Sequence, residues 1–176
     1  MKNEFSLKYK STIGADFLTK SIQKNDDFIQ LQLWDTAGAE KFHSIGQSFY
    51  RGAQTCILVF EINDNESFKS VETWRSEFLN QLNPSNPDEF PLILIGNKCD
   101  LQQECQVSDE SIQNYCNEHN NMPFFKCSAK DNINLNEAFD KIVELALENF
   151  KKNEDSFVPV QNLKITQEPK KKKGCC

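Results

Sequence analysis

In residues 28–34 apolar and polar side chains alternate, with Ile29, Leu31 and Leu33 on one face and Gln30 and Gln32 on the other. A period of two marks a strand with one buried and one wet face. Residues 16–23 read as its partner across the polar turn Lys24-Asn25-Asp26-Asp27, so the pair predicts an antiparallel hairpin. Residues 43–50 have room for a short helix. The run Thr55-Cys56-Ile57-Leu58-Val59-Phe60 is continuously apolar, as expected of a strand covered on both faces. Pro91-Leu92-Ile93-Leu94-Ile95-Gly96 and Pro123-Phe124-Phe125-Lys126-Cys127 supply two more strands. Between them Phe68, Val71, Trp74, Phe78 and Leu82 recur at helical spacing. Ser108 is an N-cap for a second helix carrying Ile112, Tyr115, Cys116 and His119 on one face. Asn134 and Glu137 form a variant capping box before a third helix, which bears Leu135, Phe139, Ile142, Leu145, Ala146 and Phe150. A hairpin followed by alternating strands and helices predicts a three-layer α/β fold with a mostly parallel sheet.

The periodicity stops near residue 150. Residues 1–150 therefore read as one domain, and residues 151–176, rich in Lys and acids with Pro159 and Pro169, as a flexible tail. The 176 residues suffice for one real core. A net charge of −6 argues against general nucleic-acid binding, although Lys170-Lys171-Lys172-Lys173 forms a basic run near the C-terminus. No apolar run is long enough to span a bilayer, and the first residues lack the apolar stretch of a secretory signal. Seven cysteines include no C-x-x-C pair and no histidine at zinc-ligand spacing, which points to a reducing, cytoplasmic compartment. Cys56, Cys116 and Cys127 fall in apolar surroundings and read as small hydrophobes.

Three segments carry chemistry, each after a strand, and the carboxyl ends of strands are where open α/β sheets bind ligands. In Asp35-Thr36-Ala37-Gly38 an acid precedes a turn whose glycine lets a backbone N–H approach an anion. In Asn97-Lys98-Cys99-Asp100 the Asp100 carboxylate can accept two bonds from adjacent N–H groups, as guanine N1 and N2 offer. Adenine sets an acceptor against that carboxylate, and such an unpaired polar group is what makes a site selective. Asn97 adds a two-way amide, and the Lys98 stem can cover a ring face. Ser128-Ala129-Lys130 is a third loop on the same rim. Taken singly these are a tight turn, an Asx turn and a helix entry; together, three loops converge on one edge.

Thr12, Asp35-Thr36-Ala37-Gly38, Asn97-Lys98-Cys99-Asp100 and Ser128-Ala129-Lys130 resemble, in order, the nucleotide-binding motifs of Ras-like small GTPases. Ile13-Gly14-Ala15-Asp16-Phe17, Trp34 before Asp35, and Phe49-Tyr50-Arg51-Gly52-Ala53 are similar to Rab signatures. IGADFLTK (13–20), WRSEFLNQ (74–81) and FPLILIGNKCDL (90–101) resemble the Rab subgroup of late endosomes and lysosomes. The resemblance implies a GTP/GDP-binding switch in vesicle and protein transport, with Mg²⁺ as cofactor. Phe5 would pack at the guanine edge, and Asn97, Lys98, Asp100, Ser128, Ala129 and Lys130 would form the base site, with Ala129 donating its N–H. Thr12 and Asp35 would hold Mg²⁺, Thr12 would also sense the γ-phosphate, and the Gly38 N–H would contact it. Phe17, Trp34 and Phe49 match the exposed aromatic triad that binds effectors, although aromatics in such a pattern are also ordinary core residues. Cys175 and Cys176 match the double-geranylgeranyl site, and two chains anchor stably where one does not. The implied partners are guanine nucleotide, a membrane, an escort protein or GDI, an exchange factor, a GAP and effectors, with no nucleic acid. The implied location is cytoplasmic, peripheral on late-endosomal, lysosomal or vacuolar membranes.

Two departures stand against the family pattern. No G-x-x-x-x-G-K-[ST] occurs in the 176 residues, and the strand, phosphate loop and helix that the family places upstream of Phe5 are not among them. Without that strand, the inner edges at residues 28–34 and 55–62 are expected to lack a partner. Ala39 stands where the family has the glutamine that orients the attacking water, so no catalytic residue is assigned and hydrolysis is expected to be impaired. Two other readings stay open at this point: a nucleotide-independent, lipid-anchored interaction module, and a truncated product that does not fold.

Overall fold

The computed structural model describes residues 10–24, 27–38 and 50–154. Strands β1 (Ala15–Lys24) and β2 (Asp27–Thr36) form the antiparallel hairpin, in register from Ala15 opposite Thr36 to Lys24 opposite Asp27. Then come β3 (Cys56–Glu61), α1 (Asn65–Leu82), β4 (Leu92–Asn97), α2 (Asp109–Glu118), β5 (Phe124–Lys126) and α3 (Leu135–Glu154). Strands β3, β4 and β5 make a parallel sheet in that order, with Cys56 opposite Leu92 and Leu94 opposite Phe124. The α/β fold is as the pattern predicts. The short helix expected at residues 43–50 lies, apart from Tyr50, outside the described residues.

The sheet is split. β1 pairs with β2 and β3 with β4, but among the described residues β2 and β3 share no common strand. Among the described residues no strand pairs with their facing edges, in line with the expectation from the sequence.

β4 runs Leu92-Ile93-Leu94-Ile95 with every side chain buried, because helices cover both faces. Leu92 and Leu94 pack with Leu58, Phe60 and Ile62 of the β3 segment, Val71, Phe78 and Leu79 of α1, and Ile112 and Cys116 of α2. Ile93 and Ile95 pack with Cys127 and with Ala138 and Ile142 of α3 on the other face. Each such aliphatic side chain contributes about 1.5–3 kcal/mol by leaving water. The expectation that residues 55–60 are covered on both faces is corrected here: Leu58 and Phe60 are buried, whereas Val59 is 56% exposed. The apolar run identifies a strand but not its neighbours, and the α3 side of the sheet is centred on Ile93, Ile95 and Cys127 rather than on β3.

Helix ends follow their capping residues. Asp64 accepts from the N–H of Glu66 (2.9 Å) and Ser67 (3.3 Å) to start α1, and Asn83, at φ 49°, ends it. Ser108 caps α2 through the Ser111 N–H at 3.1 Å, as predicted. The Asn134–Glu137 capping box is not what starts α3. Asn134 lies at φ 55°, and its amide nitrogen donates to the Lys126 carbonyl at 2.7 Å, tying the helix entry to β5. At its other end α3 runs past residue 150 to Glu154, where Lys151 and Lys152 suit the negative end of the helix dipole. Between α1 and α2, Glu72 accepts from Ser76 (2.9 Å) and Tyr115 (2.9 Å) and pairs with Arg75 (3.3 Å) and His119 (3.2 Å). Burial opposes ionisation of Glu72, but these hydrogen bonds and cations outweigh it and hold its pKa below the ordinary value.

Candidate functional site

The site begins where β4 ends. Gly96 precedes Asn97, and a Cβ there would meet Ile62 Cγ2 and Phe60 Cζ at 3.0 Å and Phe124 Cε2 at 3.2 Å. The strand therefore passes close under the core and delivers Asn97 at a fixed height. Lys98 turns the chain with φ 65°, and a short 3₁₀ segment, Cys99–Glu104, follows. Backbone bonds lock this loop to its neighbour: Cys99 N–H donates to Cys127 O (3.0 Å), and Cys127 N–H to Gly96 O (2.9 Å).

Two side-chain links join the Asn97–Asp100 loop to the Ser128–Lys130 loop. Ala129 N–H donates to Asn97 Oδ1 at 3.1 Å. Ser128 Oγ donates to Asp100 Oδ1 at 2.6 Å and accepts from the Asp131 N–H at 3.0 Å, so this fully buried hydroxyl is satisfied on both sides. Lys130 Nζ lies 3.6 Å from Asp100 Oδ2. The Ser128 bond, reinforced by a backbone bond and the Lys130 charge against the cost of desolvation, lowers the Asp100 pKa. Asp100 is thus an oriented, ionised, acceptor-only group at neutral pH. Ser128 and Ile133 close the second loop through paired backbone bonds of 3.2 and 3.1 Å.

Lys98 Nζ pairs with Glu61 Oε1 at 2.6 Å, at the end of β3. Glu61 was not singled out from the sequence; its signal was the charge that ends the apolar run Ile57-Leu58-Val59-Phe60. The Ala129 N–H, which the resemblance directs to the base, is engaged by Asn97, and the Asn97 amide nitrogen is left as the donor of that pair.

The second half of the site stands at the end of β2. Thr12 Oγ1 donates to Asp35 Oδ2 at 3.0 Å, and Ala37 N–H donates to Gly14 O at 2.9 Å, with Gly14 at φ 74°. Thr12 and Asp35 are hard oxygen donors, the chemistry Mg²⁺ takes when waters and phosphate oxygens complete its shell. Gly38 is described and exposed. A guanine base fits the donor set of the first half. The second half has the metal-side oxygens, but the 176 residues contain no glycine-rich loop with a lysine to cradle phosphates.

Phe17 and Trp34 face one another across the hairpin, ring centroids 4.6 Å apart, and each is 45% exposed. They are surface aromatics, not core. Phe49, Phe5, Ala39, Cys175 and Cys176 lie outside the described residues. Among the described residues no helix is long and apolar enough to cross a membrane.

Residues 1–148 match the Ras family. The chain is 49% identical over 150 residues to the Ypt/Rab-type GTPase ypt7 of Schizosaccharomyces pombe, covering 85% of this chain and 73% of that protein. The chain belongs to the Ras family, in its Rab branch. It is also 42% identical over 179 residues to the Ras-related protein Rab-7a of Dictyostelium discoideum, covering 100% of this chain and 86% of that one. With the Ras-related protein RABG3a of Arabidopsis thaliana it shares 44% identity over 169 residues, 95% of this chain and 82% of that protein. A Rab-type chain belongs among the guanine-nucleotide proteins that use GTP, GDP and Mg²⁺.

Proposed function

We propose that this Rab-type chain is a guanine-nucleotide switch of vesicle transport toward the late endosome, lysosome or vacuole. The observation that carries the reading is the wiring of the base loops, in which Ser128 and Lys130 orient the Asp100 carboxylate and Ala129 orients the Asn97 amide. Asp100 and the Asn97 amide nitrogen recognise guanine, and Lys98 covers its face. Thr12 and Asp35 hold Mg²⁺, and the Gly38 N–H meets the γ-phosphate. Ala39 cannot orient water, so even with a phosphate loop present hydrolysis is slow and the switch is biased toward its GTP state. Phe17, Trp34 and Phe49 contact effectors, while an escort protein or GDI, an exchange factor and a GAP act on the cycle. Cys175 and Cys176 carry geranylgeranyl groups, and each of Lys170-Lys171-Lys172-Lys173 adds roughly 1 kcal/mol at an anionic leaflet.

The residues of this chain hold the base and the metal side, but not the phosphates, so the 176-residue protein binds GTP weakly or not at all. Calorimetry tests this, and a micromolar or tighter dissociation constant contradicts it. Mass spectrometry of the native protein's N-terminus reports whether a phosphate loop precedes Phe5 in the cell. A second reading, a nucleotide-independent lipid-anchored interaction module, is favoured by the exposed Phe17–Trp34 pair beside a split sheet. Nucleotide released on denaturing the purified native protein separates the two, since a stoichiometric guanine nucleotide rules the module out.

A further inference from the structure

The loop that carries Ser128, Ala129 and Lys130 is closed on itself by the backbone pair Ser128–Ile133. Held only at that pair, such a loop can pivot about it, and Ser128 and Ala129 are the residues that orient Asp100 and Asn97. What stops the pivot is the next residue along. Asn134 Nδ2 donates to Lys126 O at 2.7 Å, and the Asn134 carbonyl accepts from the Ala138 N–H at 3.2 Å and the Cys127 thiol at 3.6 Å. One residue therefore ties together the end of β5, the closing pair of the loop and the first turn of α3. Lys126 is in turn the register partner of Gly96, immediately before Asn97. The clamp thus holds the Ser128–Lys130 loop against the same strand end that delivers Asn97 and Asp100.

We propose that Asn134 is a positioning residue of the base site, holding Ser128 and Ala129 where they orient Asp100 and Asn97. The proposal rests on the guanine reading of that site for its function, but not for its geometry.

Asparagine meets two demands at this position. Its φ of 55° lies in the left-handed region, which glycine and asparagine enter most readily. Glycine meets that demand as well, but it has no amide to offer Lys126. Asn132 supplies an internal comparison, since it stands in the same loop at φ 56° and its side chain makes no hydrogen bond among the described residues. The coupling from Asn134 to Asp100 is tight because the Ser128 hydroxyl is fully buried. A shift of the loop that breaks its bond to Asp100 leaves a buried donor unsatisfied, which is costly.

Nuclear magnetic resonance of the 176-residue chain, unaltered and as Asn134→Gly and Asn132→Gly, tests the proposal with guanosine as the probe. Asn134 is exposed and glycine keeps the left-handed turn, so Asn134→Gly is expected to fold. In that variant the Ala129 amide is expected to exchange about threefold or more faster. The Asp100 carboxyl is expected to titrate at higher pH, because its bond from Ser128 weakens. Guanosine binding is expected to weaken about three- to tenfold, the effect of one lost hydrogen bond. Asn132→Gly is expected to leave all three readings as they are in the unaltered chain. Unchanged Ala129 exchange or unchanged Asp100 titration in Asn134→Gly overturns the proposal, and so does an equal effect from Asn132→Gly. Should the unaltered chain not bind guanosine, the guanine reading fails, and Ala129 exchange and Asp100 titration still decide the role of Asn134. Should Asn134→Gly prevent folding, scalar coupling between the Asn134 side-chain amide and the Lys126 carbonyl carbon in the unaltered chain decides, and its absence counts against the proposal.

Discussion

The two halves of the site are built differently. The base side stands on β3, β4 and β5, and the buried apolar core among the described residues lies between Leu58 and Val143. The metal and phosphate side stands on a two-stranded hairpin in which no described residue is buried. On the base side, Asn97, Asp100, Ser128 and Ala129 hold one another through bonds of 2.6 and 3.1 Å. On the other side a single exposed bond joins Thr12 to Asp35. Two-stranded hairpins are marginal in water on their own. In the proposed reading, base recognition therefore rests on a buried core, whereas the switch side rests on an exposed hairpin.

Substitutions on the two sides should separate sharply. Gly96→Val, which forces a side chain into Ile62, Phe60 and Phe124, has the largest expected effect. Overpacking of this kind costs about 1–3 kcal/mol or more, and thermal unfolding of the β3–β5 unit reports it. Asp100→Ala comes next. Losing the charged acceptor removes the bonds to guanine N1 and N2, so guanine discrimination over adenine falls by roughly ten- to a hundredfold in competition binding. The same change leaves the buried Ser128 hydroxyl without its acceptor, and unfolding also occurs at lower temperature.

Acidification sharpens the contrast further. The Asp100 and Glu72 carboxylates are both held below their ordinary values in the folded chain. Their stabilisation is fully present above the usual carboxylate range and is lost as pH falls through the lowered folded values. Acid unfolding followed by tryptophan fluorescence should therefore involve the core unit, through Trp74, and Asp100→Asn should reduce the pH dependence. Smallest of all is Trp34→Ala, which should change the unfolding free energy of the β3–β5 unit by no more than about 0.5 kcal/mol. A loss of several kcal/mol there would show that hairpin and core fold as one, erasing the comparison.

Much of this was legible in the chain. The alternation of Ile29, Leu31 and Leu33 gave the hairpin, and the buried run of β4 placed Asn97–Asp100 at a strand end. Those loops are local in sequence and follow uninterrupted strands, so their chemistry survives in the linear pattern. What was not legible depends on tertiary neighbours. The exposure of Val59 reflects which helix covers β3, the Lys98–Glu61 pair joins separate strand ends, and Asn134 spends its amide on Lys126 rather than on capping. The extension of α3 to Glu154 escaped because its last turn carries lysines instead of apolar residues.

The central claim is that guanine recognition is already assembled here, independent of the phosphate side. Its most direct test is a nuclear magnetic resonance titration of the 176-residue chain with guanosine and, separately, adenosine. The account predicts that guanosine shifts the amides of residues 97–100 and 128–130 while adenosine leaves them in place. Equal shifts from both nucleosides, or guanosine shifts confined to the hairpin, would contradict it.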